Sequence, residues 1–281
     1  MSRADIQLPQ VPREIPRMGE TSRKDAWWLP SLLTFLGLGA FIVYSTWAAF
    51  QANHYWYALH GAHYLSPMYS PALFDMPGQP TGHAWFGEAP RWLAALPFFS
   101  PALLILWAPG GFRLTCYYYR GAYYKAFWGD PMSCAVGEPG FRGKRYRGEK
   151  KFPLIFQNVH RYFLYIALVF LVLLSYDAVI SYMFTENGET RFGVGVGSLV
   201  LTINPIMLGG YTLGCHSLRH LIGGRKDSLA SLGGQKKAYD CVSCLNRGHM
   251  KWAWFSLFWV GFTDLYVRLC SMGIIHDYRL I

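Results

Sequence analysis

Five long apolar stretches constrain this chain more than any other feature of its sequence. They cover residues 27–50, 92–112, 162–184, 194–214 and 252–272. Each matches the length of about 20 residues that a helix needs to cross the hydrocarbon core of a bilayer. We therefore expect an all-α integral membrane protein with five transmembrane helices. A polar N-terminal segment, 1–26, would precede a five-helix membrane domain that covers 27–281.

Prolines interrupt two of the five stretches. Pro97, Pro101 and Pro109 fall in or beside the second one, and Asn204-Pro205 falls in the glycine-rich fourth one. Membrane helices tolerate proline better than soluble helices do, because neighbouring groups satisfy the freed backbone. We therefore keep both stretches as spans and expect a kink near Pro205.

Composition supports a membrane protein over other classes. Only 15% of the residues are charged, against 52% hydrophobic and 17% aromatic, whereas an average soluble domain carries about 25% charge. So many aromatic residues also argue against disorder. The formal net charge is +10, but no nucleic-acid-binding module is recognisable, and basic loops of a membrane protein account for this charge.

The basic residues predict an orientation in the cytoplasmic membrane. Lys and Arg concentrate in the segment before the first stretch and in the segments after the second and the fourth. The other three connecting or terminal segments hold one each, Arg91, Arg191 and Arg279. Because basic loops stay on the cytoplasmic side, the N-terminus is expected inside and the C-terminus outside. A cleaved signal peptide is not expected, since a long polar segment precedes the first stretch.

Cysteines and histidines gather at the predicted cytoplasmic ends of spans four and five. The group consists of Cys215, His216, His220, Cys241, Cys244 and His249. Because the cytosol is reducing, metal binding or redox chemistry is favoured there over a disulfide. The remaining cysteines, Cys116, Cys134 and Cys270, have no such neighbours in the sequence and are expected to be packing thiols.

The spacing within this group has two interpretations. Cys241 and Cys244 form a Cys-x-x-Cys pair, which is typical of zinc and iron-sulfur sites. Alternatively, Cys-x4-His occurs twice, as Cys215 with His220 and as Cys244 with His249. Two thiolates on one iron and two imidazoles on the other form a Rieske-type 2Fe-2S cluster. This second interpretation predicts those four residues as ligands, with Cys241 and His216 as alternates. A structural zinc, or no metal, stays open.

Two further cofactors are considered at the same membrane face. A single b-type haem between His160 and His220 fits the histidine positions, whereas a stacked pair of haems does not. The polar start of the third span offers Gln157, His160 and Arg161 beside aromatic residues. Such donors suit the carbonyl groups of a quinone, although an ordinary polar helix start explains them as well.

Three charged residues lie within the apolar stretches, where charge is costly and usually functional. Asp264 and Arg268 are four residues apart and share a helix face, and Asp177 lies in the outer half of the third span. An internal ion pair that fixes helix packing and a proton path are both consistent with these positions.

Four sequence blocks resemble a known family. They are LTCYYYRGAYYKAFWGDPMSCAV, FPLIFQNVHRYFLYIALVF, GCHSLRHLIGG and SCLNRGHMKWAW with DLYVRL further on. They resemble the five-helix membrane anchor of actinobacterial, mycobacterial-type succinate dehydrogenase or fumarate reductase, whose anchor carries a membrane-embedded Rieske-type cluster. The resemblance covers about residues 90–281.

The resemblance implies a multi-subunit complex. A flavoprotein subunit would oxidise succinate, and an iron-sulfur subunit would pass electrons to this chain and on to menaquinone. Cys215, His216, His220 and His249 match family positions that are Cys or His, while this chain has Leu218 where a second cysteine often stands. The dicarboxylate site would lie on another chain. A transporter, or a structural anchor with a zinc clip, is the alternative.

Overall fold

The chain folds mainly into helices in a computed structural model. The described residues are 17–133, 135–137, 155–186, 188–224, 226 and 228–281, without the side chains of 156 and 157. Their helices are α1 (Leu29–Gln51), α2 (Arg91–Ala94), α3 (Leu103–Thr115), α4 (Tyr117–Phe127), α5 (Ile155–Ile180), α6 (Val196–Leu213), α7 (His216–Gly223), α8 (Gln235–Arg247) and α9 (His249–Ser271), with a short 3-10 helix at Leu229–Leu232.

Three of the described helices are long and apolar enough to cross a membrane. They are Leu29–Gln51, Asn158–Ile180 within α5, and Val196–Leu213, and they correspond to the first, third and fourth predicted spans. Helix α6 continues through Pro205. Helix α9 has 23 residues and matches the fifth predicted span in length, but Asp264 and Arg268 lower its apolar character.

The second predicted span, 92–112, is not one continuous helix. Helix α2 ends at Ala94, and α3 begins only at Leu103 and has 13 residues. At about 1.5 Å per residue, α3 is shorter than a hydrocarbon core of about 30 Å. Pro97 and Pro101 lie between the two helices, and proline removes a backbone donor and disfavours helix at the residue before it. Pro109, by contrast, is accommodated within α3.

Two antiparallel hairpins occupy loops for which the sequence predicted no strands. In the first, β1 (Trp56–Leu59) pairs with β2 (Ala62–Leu65), and Trp56 faces Leu65. In the second, β3 (Met183–Glu186) pairs with β4 (Glu189–Phe192). Gly61 in the first turn has a φ of 78°, which glycine adopts without steric cost. In each hairpin the two strands satisfy each other's backbone groups.

The chain divides into two compact units, Met1–Gly37 with Gly121–Arg147 and Leu38–Arg120 with Gly148–Ile281. In the first, the backbones of Glu20 and Gly137 are hydrogen-bonded over 3.0 Å, and the rings of Phe35 and Phe127 lie 4.9 Å apart. In the second, α6 packs against α5 and α9, and α3 packs against α5. The buried ion pair and the candidate site described below belong to the second unit.

A buried ion pair lies within α9. Arg268 Nε is 3.4 Å from Asp264 Oδ2, and the two side chains are 1% and 0% exposed. Tyr44 and Ser66 donate hydrogen bonds to the Asp264 carboxylate. The Arg268 guanidinium also donates to the carbonyls of Ala48 and Asn53, 3.3 and 2.8 Å away, at the end of α1. This geometry supports the ion-pair interpretation and joins α9 to α1 and the first hairpin.

Asp177, the third charged residue within the predicted spans, also has polar partners. Ser70 donates a hydrogen bond to its carboxylate, and His83 Nε2 lies 3.6 Å from Asp177 Oδ1. Asp177 lies near the end of α5 and therefore connects this helix to the loop that follows the first hairpin.

Orientation is testable with reporters. The asymmetry of basic residues predicts that a reporter fused after Ile281 is active outside the cytoplasm, and that one fused before Arg17 is active inside it. Paired periplasmic and cytoplasmic reporters at both positions measure this. A reporter after Ile281 that is active only in the cytoplasm would contradict the predicted topology.

Candidate metal centre

Four side chains of sulfur and imidazole type meet between the helices of the second unit. They are Cys116, His160, Cys215 and His249. Cys116 Sγ lies 3.5 Å from His249 Nε2, and Cys215 Sγ lies 3.1 Å from His160 Nε2. These four residues are called the Cys/His ring below.

Local sequence places both cysteines at breaks between consecutive helices. Cys116 separates α3 from α4, and Cys215 separates α6 from α7; both have extended backbone, with ψ of 132° and 138°. Each cysteine therefore precedes the first residue of a new helix, where free backbone N–H groups point outward. The histidines come from helices instead, His160 from α5 and His249 from the first residue of α9.

The two sulfur–nitrogen pairs, Cys116 with His249 and Cys215 with His160, lie next to each other. Besides the two sulfur–nitrogen contacts, His160 and His249 are close enough to interact electrostatically. Burial raises the pKa of the Cys215 thiol, the backbone N–H groups of Ser217 and Leu218 oppose this rise, and the nearby Cys116 adds to it.

The surroundings of the ring are buried and hold the imidazoles in place. Cys116, Cys215 and His160 are 3%, 2% and 6% exposed. Thr115 Oγ1 lies 2.8 Å from His160 Nδ1, and the Phe112 ring stacks on the His160 ring at 4.7 Å. The Tyr211 ring stacks on His249 at 4.9 Å. Such partners on the far side of an imidazole are typical of metal-ligating histidines.

The ring differs from a single-ion site. Within the described part of the chain, no group of three or more His, Cys, Asp or Glu side chains could hold one metal ion. A tetrahedral zinc needs its ligands around one point, whereas a Rieske-type cluster needs two thiolates at one iron and two imidazoles at the other. The His249 Nδ1 atom is buried and has no hydrogen-bond partner among the described residues. Two thiols and two imidazoles are a donor set that a Rieske-type cluster uses and that a structural zinc also uses.

The structure brings together only part of the ligand set predicted from sequence. Cys215 and His249 lie in the ring, but Cys241, Cys244, His216 and His220 are exposed. The repeated Cys-x4-His spacing is divided by helix breaks: α8 ends at Arg247, and α9 begins at His249. Cys244 and His249 therefore belong to different helices. The other two residues of the ring are Cys116 and His160.

Cys116 was not expected in the site. The sequence predicted a packing thiol because no other cysteine or histidine lies near it in the chain, whereas the structure places its sulfur in contact with His249. Its position in the first of the four family-like blocks was the signal that could have identified it. Cys270 is a buried free cysteine, and Cys134 lies outside the described residues.

The residues predicted to bind quinone are divided between two places. His160 points into the ring, whereas Arg161 lines a cavity of about 150 Å³ with Tyr165, Ser217 and His220. His216 lines a neighbouring cavity of about 250 Å³. The side chain of Gln157 lies outside the described part of the structure. Both ring nitrogens of His160 have partners in or beside the ring.

Comparison with known proteins decides the family. The family model for the actinobacterial succinate dehydrogenase subunit SdhC matches residues 29–273. The chain belongs to this family. It is a membrane anchor subunit of a succinate dehydrogenase, an oxidoreductase, and a multi-pass protein of the cytoplasmic membrane.

A solved structure supports the same assignment. The chain is similar to one in the Mycobacterium smegmatis Sdh1 complex in the apo form, with 41% identity and a TM-score of 0.82. The match covers 96% of this chain and 98% of that chain. No match was found among curated protein sequences.

Proposed function

We propose that this anchor relays electrons to membrane quinone through a Rieske-type 2Fe-2S cluster held by the Cys/His ring. Cys116 and Cys215 would bind one iron, and His160 and His249 the other. The observation that carries the proposal is the meeting of two thiols and two imidazoles at a place between the helices where three of the four side chains are buried. When bound, such a cluster supplies one-electron transfer at a potential well above that of an all-thiolate cluster.

Each residue of the ring has a defined part in holding the group. The cysteines must bind as thiolates and the histidines as neutral imidazoles. The backbone N–H groups of Ser217 and Leu218 stabilise a thiolate at Cys215. Thr115 fixes the tautomer of His160 through Nδ1, which leaves Nε2 free to bind metal.

We infer that the partners are the flavoprotein and iron-sulfur subunits of succinate dehydrogenase. Oxidation of one succinate to fumarate releases two electrons and two protons. The iron-sulfur subunit would deliver the electrons singly to this chain, and one quinone would take up both electrons with two protons to form a quinol. The membership of the chain in the SdhC family and its likeness to a chain of the Sdh1 complex support these partners.

The cavity at Arg161 is the proposed site of the quinone headgroup, and menaquinone is the quinone we propose. Arg161 follows His160 directly, and Ser217 follows Cys215 by two residues, so the cavity adjoins two corners of the ring. The guanidinium of Arg161 and the hydroxyl of Ser217 can donate to quinone carbonyls, while Leu164 and Leu221 provide apolar walls. Short separation between the two sites favours electron transfer.

Spectroscopy of the purified complex tests the cluster. Electron paramagnetic resonance after partial reduction is expected to give a Rieske signal, and ¹⁵N-labelling of histidine is expected to change its nitrogen couplings. Metal analysis in parallel should give iron and sulfide beyond those of the iron-sulfur subunit. A silent spectrum with stoichiometric zinc would instead support a zinc clip, and a haem absorption band would support a haem anchor.

Replacing Arg161 tests the quinone site. Arg161→Gln is expected to lower succinate:quinone activity at least about tenfold, because a hydrogen bond from a charged donor contributes about 1.5–3 kcal/mol. Succinate oxidation with a soluble dye should stay near its wild-type rate. The matched control is Arg191→Gln in the exposed β4 strand, which should change neither activity. Equal loss of both activities in Arg161→Gln would indicate failed assembly and contradict a role limited to quinone binding.

A further inference from the structure

A partly buried cation, Arg113, lies beside the Cys/His ring without an anionic partner among the described residues. Arg113, on α3, is three residues before Cys116. Its guanidinium donates hydrogen bonds to the Tyr119 hydroxyl at 2.7 Å, the Ala253 carbonyl at 3.2 Å and the Ser256 hydroxyl at 2.9 Å. All three acceptors are neutral, and no Asp or Glu in the described part of the chain forms an ion pair with this arginine.

This arrangement is costly unless a negative charge is present nearby. Arginine stays protonated in proteins, and a charge away from water is unfavourable without a partner. Tyr119 and Ser256 are 3% and 1% exposed, so water does not surround the guanidinium at this end. Contacts with the rings of Tyr211 and Tyr119, with centroids 4.8 and 5.6 Å from the guanidinium carbon, offset part of the cost.

Tyr211 connects Arg113 to the ring. Its aromatic ring contacts the guanidinium and also stacks on the His249 imidazole at 4.9 Å. The side chain is 0% exposed, and its hydroxyl makes no hydrogen bond to any described residue, although it lies close to the Cys116 thiol. One tyrosine therefore separates the charge of Arg113 from a cysteine and a histidine of the ring. In a medium of low dielectric constant, the charge of Arg113 and a charge on the ring would interact strongly across one side chain.

We propose that Arg113 is the counter-charge for the electron that the Cys/His ring receives, and that it raises the reduction potential of the cluster. This inference rests on the proposed function. With both irons ferric, two sulfides and two thiolates balance the iron charges, so the first electron adds one net negative charge to the site. The fixed positive charge of Arg113 stabilises that state. Arg113 is thus a positioning residue: it does not bind iron, and its positive charge acts on the cluster through space and across the Tyr211 ring.

A redox titration of the complete complex, followed by electron paramagnetic resonance, measures the effect. The main comparison is Ser256→Asp against Ser256→Asn. The aspartate places a carboxylate beside the guanidinium and neutralises it, whereas the asparagine has the same shape without charge. We expect Ser256→Asp to lower the equilibrium constant for reduction at least about tenfold, which is 59 mV for one electron. Ser256→Asn should leave the potential near the wild-type value.

A second pair of variants changes the cation itself. Arg113→Gln is expected to lower the potential in the same direction as Ser256→Asp, and Arg113→Lys, which keeps the charge, is expected to restore most of it. The all-thiolate centres of the iron-sulfur subunit serve as an internal reference, and their potentials should not move. If Arg113→Gln fails to assemble, the Ser256 pair decides, because both of its members retain Arg113.

Equal shifts in Ser256→Asp and Ser256→Asn, or no shift in either, would overturn the inference. Loss of assembly in Ser256→Asp but not in Ser256→Asn would also overturn it. An arginine that lacks an anionic partner should tolerate a carboxylate beside it. Absence of a Rieske signal in the unmodified complex would contradict the proposed function instead, so the two failures are distinguishable.

Discussion

Cys116→Ser is expected to abolish the Rieske signal of the purified complex, while Cys244→Ser leaves it intact. Serine cannot replace a thiolate at the iron, and the Cys116 sulfur lies 3.5 Å from His249 Nε2 at the core of the ring. Cys244 is exposed on α8. Electron paramagnetic resonance and iron analysis of each variant complex measure the outcome.

Cys270→Ser is the matched control for this experiment. Cys270 is as buried as Cys116, at 3% exposure, so loss of a buried thiol alone should not remove the signal. Should Cys116→Ser keep the signal and Cys244→Ser lose it, the ring is not the ligand set, and the repeated Cys-x4-His spacing would identify the ligands after all.

Arg268→Met is expected to cost about 3–5 kcal/mol of stability. Removing one member of a buried ion pair leaves the other charge without compensation, and here the carboxylate of Asp264 would stay 0% exposed. The same change also removes donors to the carbonyls of Ala48 and Asn53. Denaturant unfolding of the complex in mixed micelles gives the free energy.

Two further variants make this prediction specific. Combining Arg268→Met with Asp264→Leu removes both charges and should recover much of the loss. Arg279→Met breaks the exposed pair with Glu186, whose atoms are 2.8 Å apart, and should cost less than about 1 kcal/mol. A similar cost for Arg268→Met and Arg279→Met would show that burial does not strengthen the inner pair.

Apolar length predicted most of the helical fold. Spans one and three were predictable because each is a long uninterrupted run of apolar residues, and such runs have few alternatives in a bilayer. Span four was also predicted correctly as a helix, because α6 continues through Pro205. The second span failed because proline was treated as tolerable, whereas Pro97 and Pro101 together keep the helix from starting before Leu103. The short hairpins were missed since four-residue strands carry little periodic signal.

The candidate site was only partly predictable, for a different reason. Cys215 and His249 were found because they lie in a group that is dense in the sequence. Cys116 lies between α3 and α4 and His160 lies on α5, and packing of α3 and α5 brings both close to the first two residues. The repeated Cys-x4-His spacing suggested Cys244 and His220 instead. Spacing along the chain does not show where one helix ends and the next begins, and here a helix boundary separates Cys244 from His249.

The four corners of the Cys/His ring come from widely separated parts of the chain. Cys116 and His249 are 133 residues apart, and α9, which begins at His249, is the last helix. A nascent chain that lacks α9 can therefore present three of the four donors at most. Under the proposed function, the cluster can bind only after α9 has been inserted into the membrane. An incompletely inserted anchor would therefore lack the cluster and could not transfer electrons.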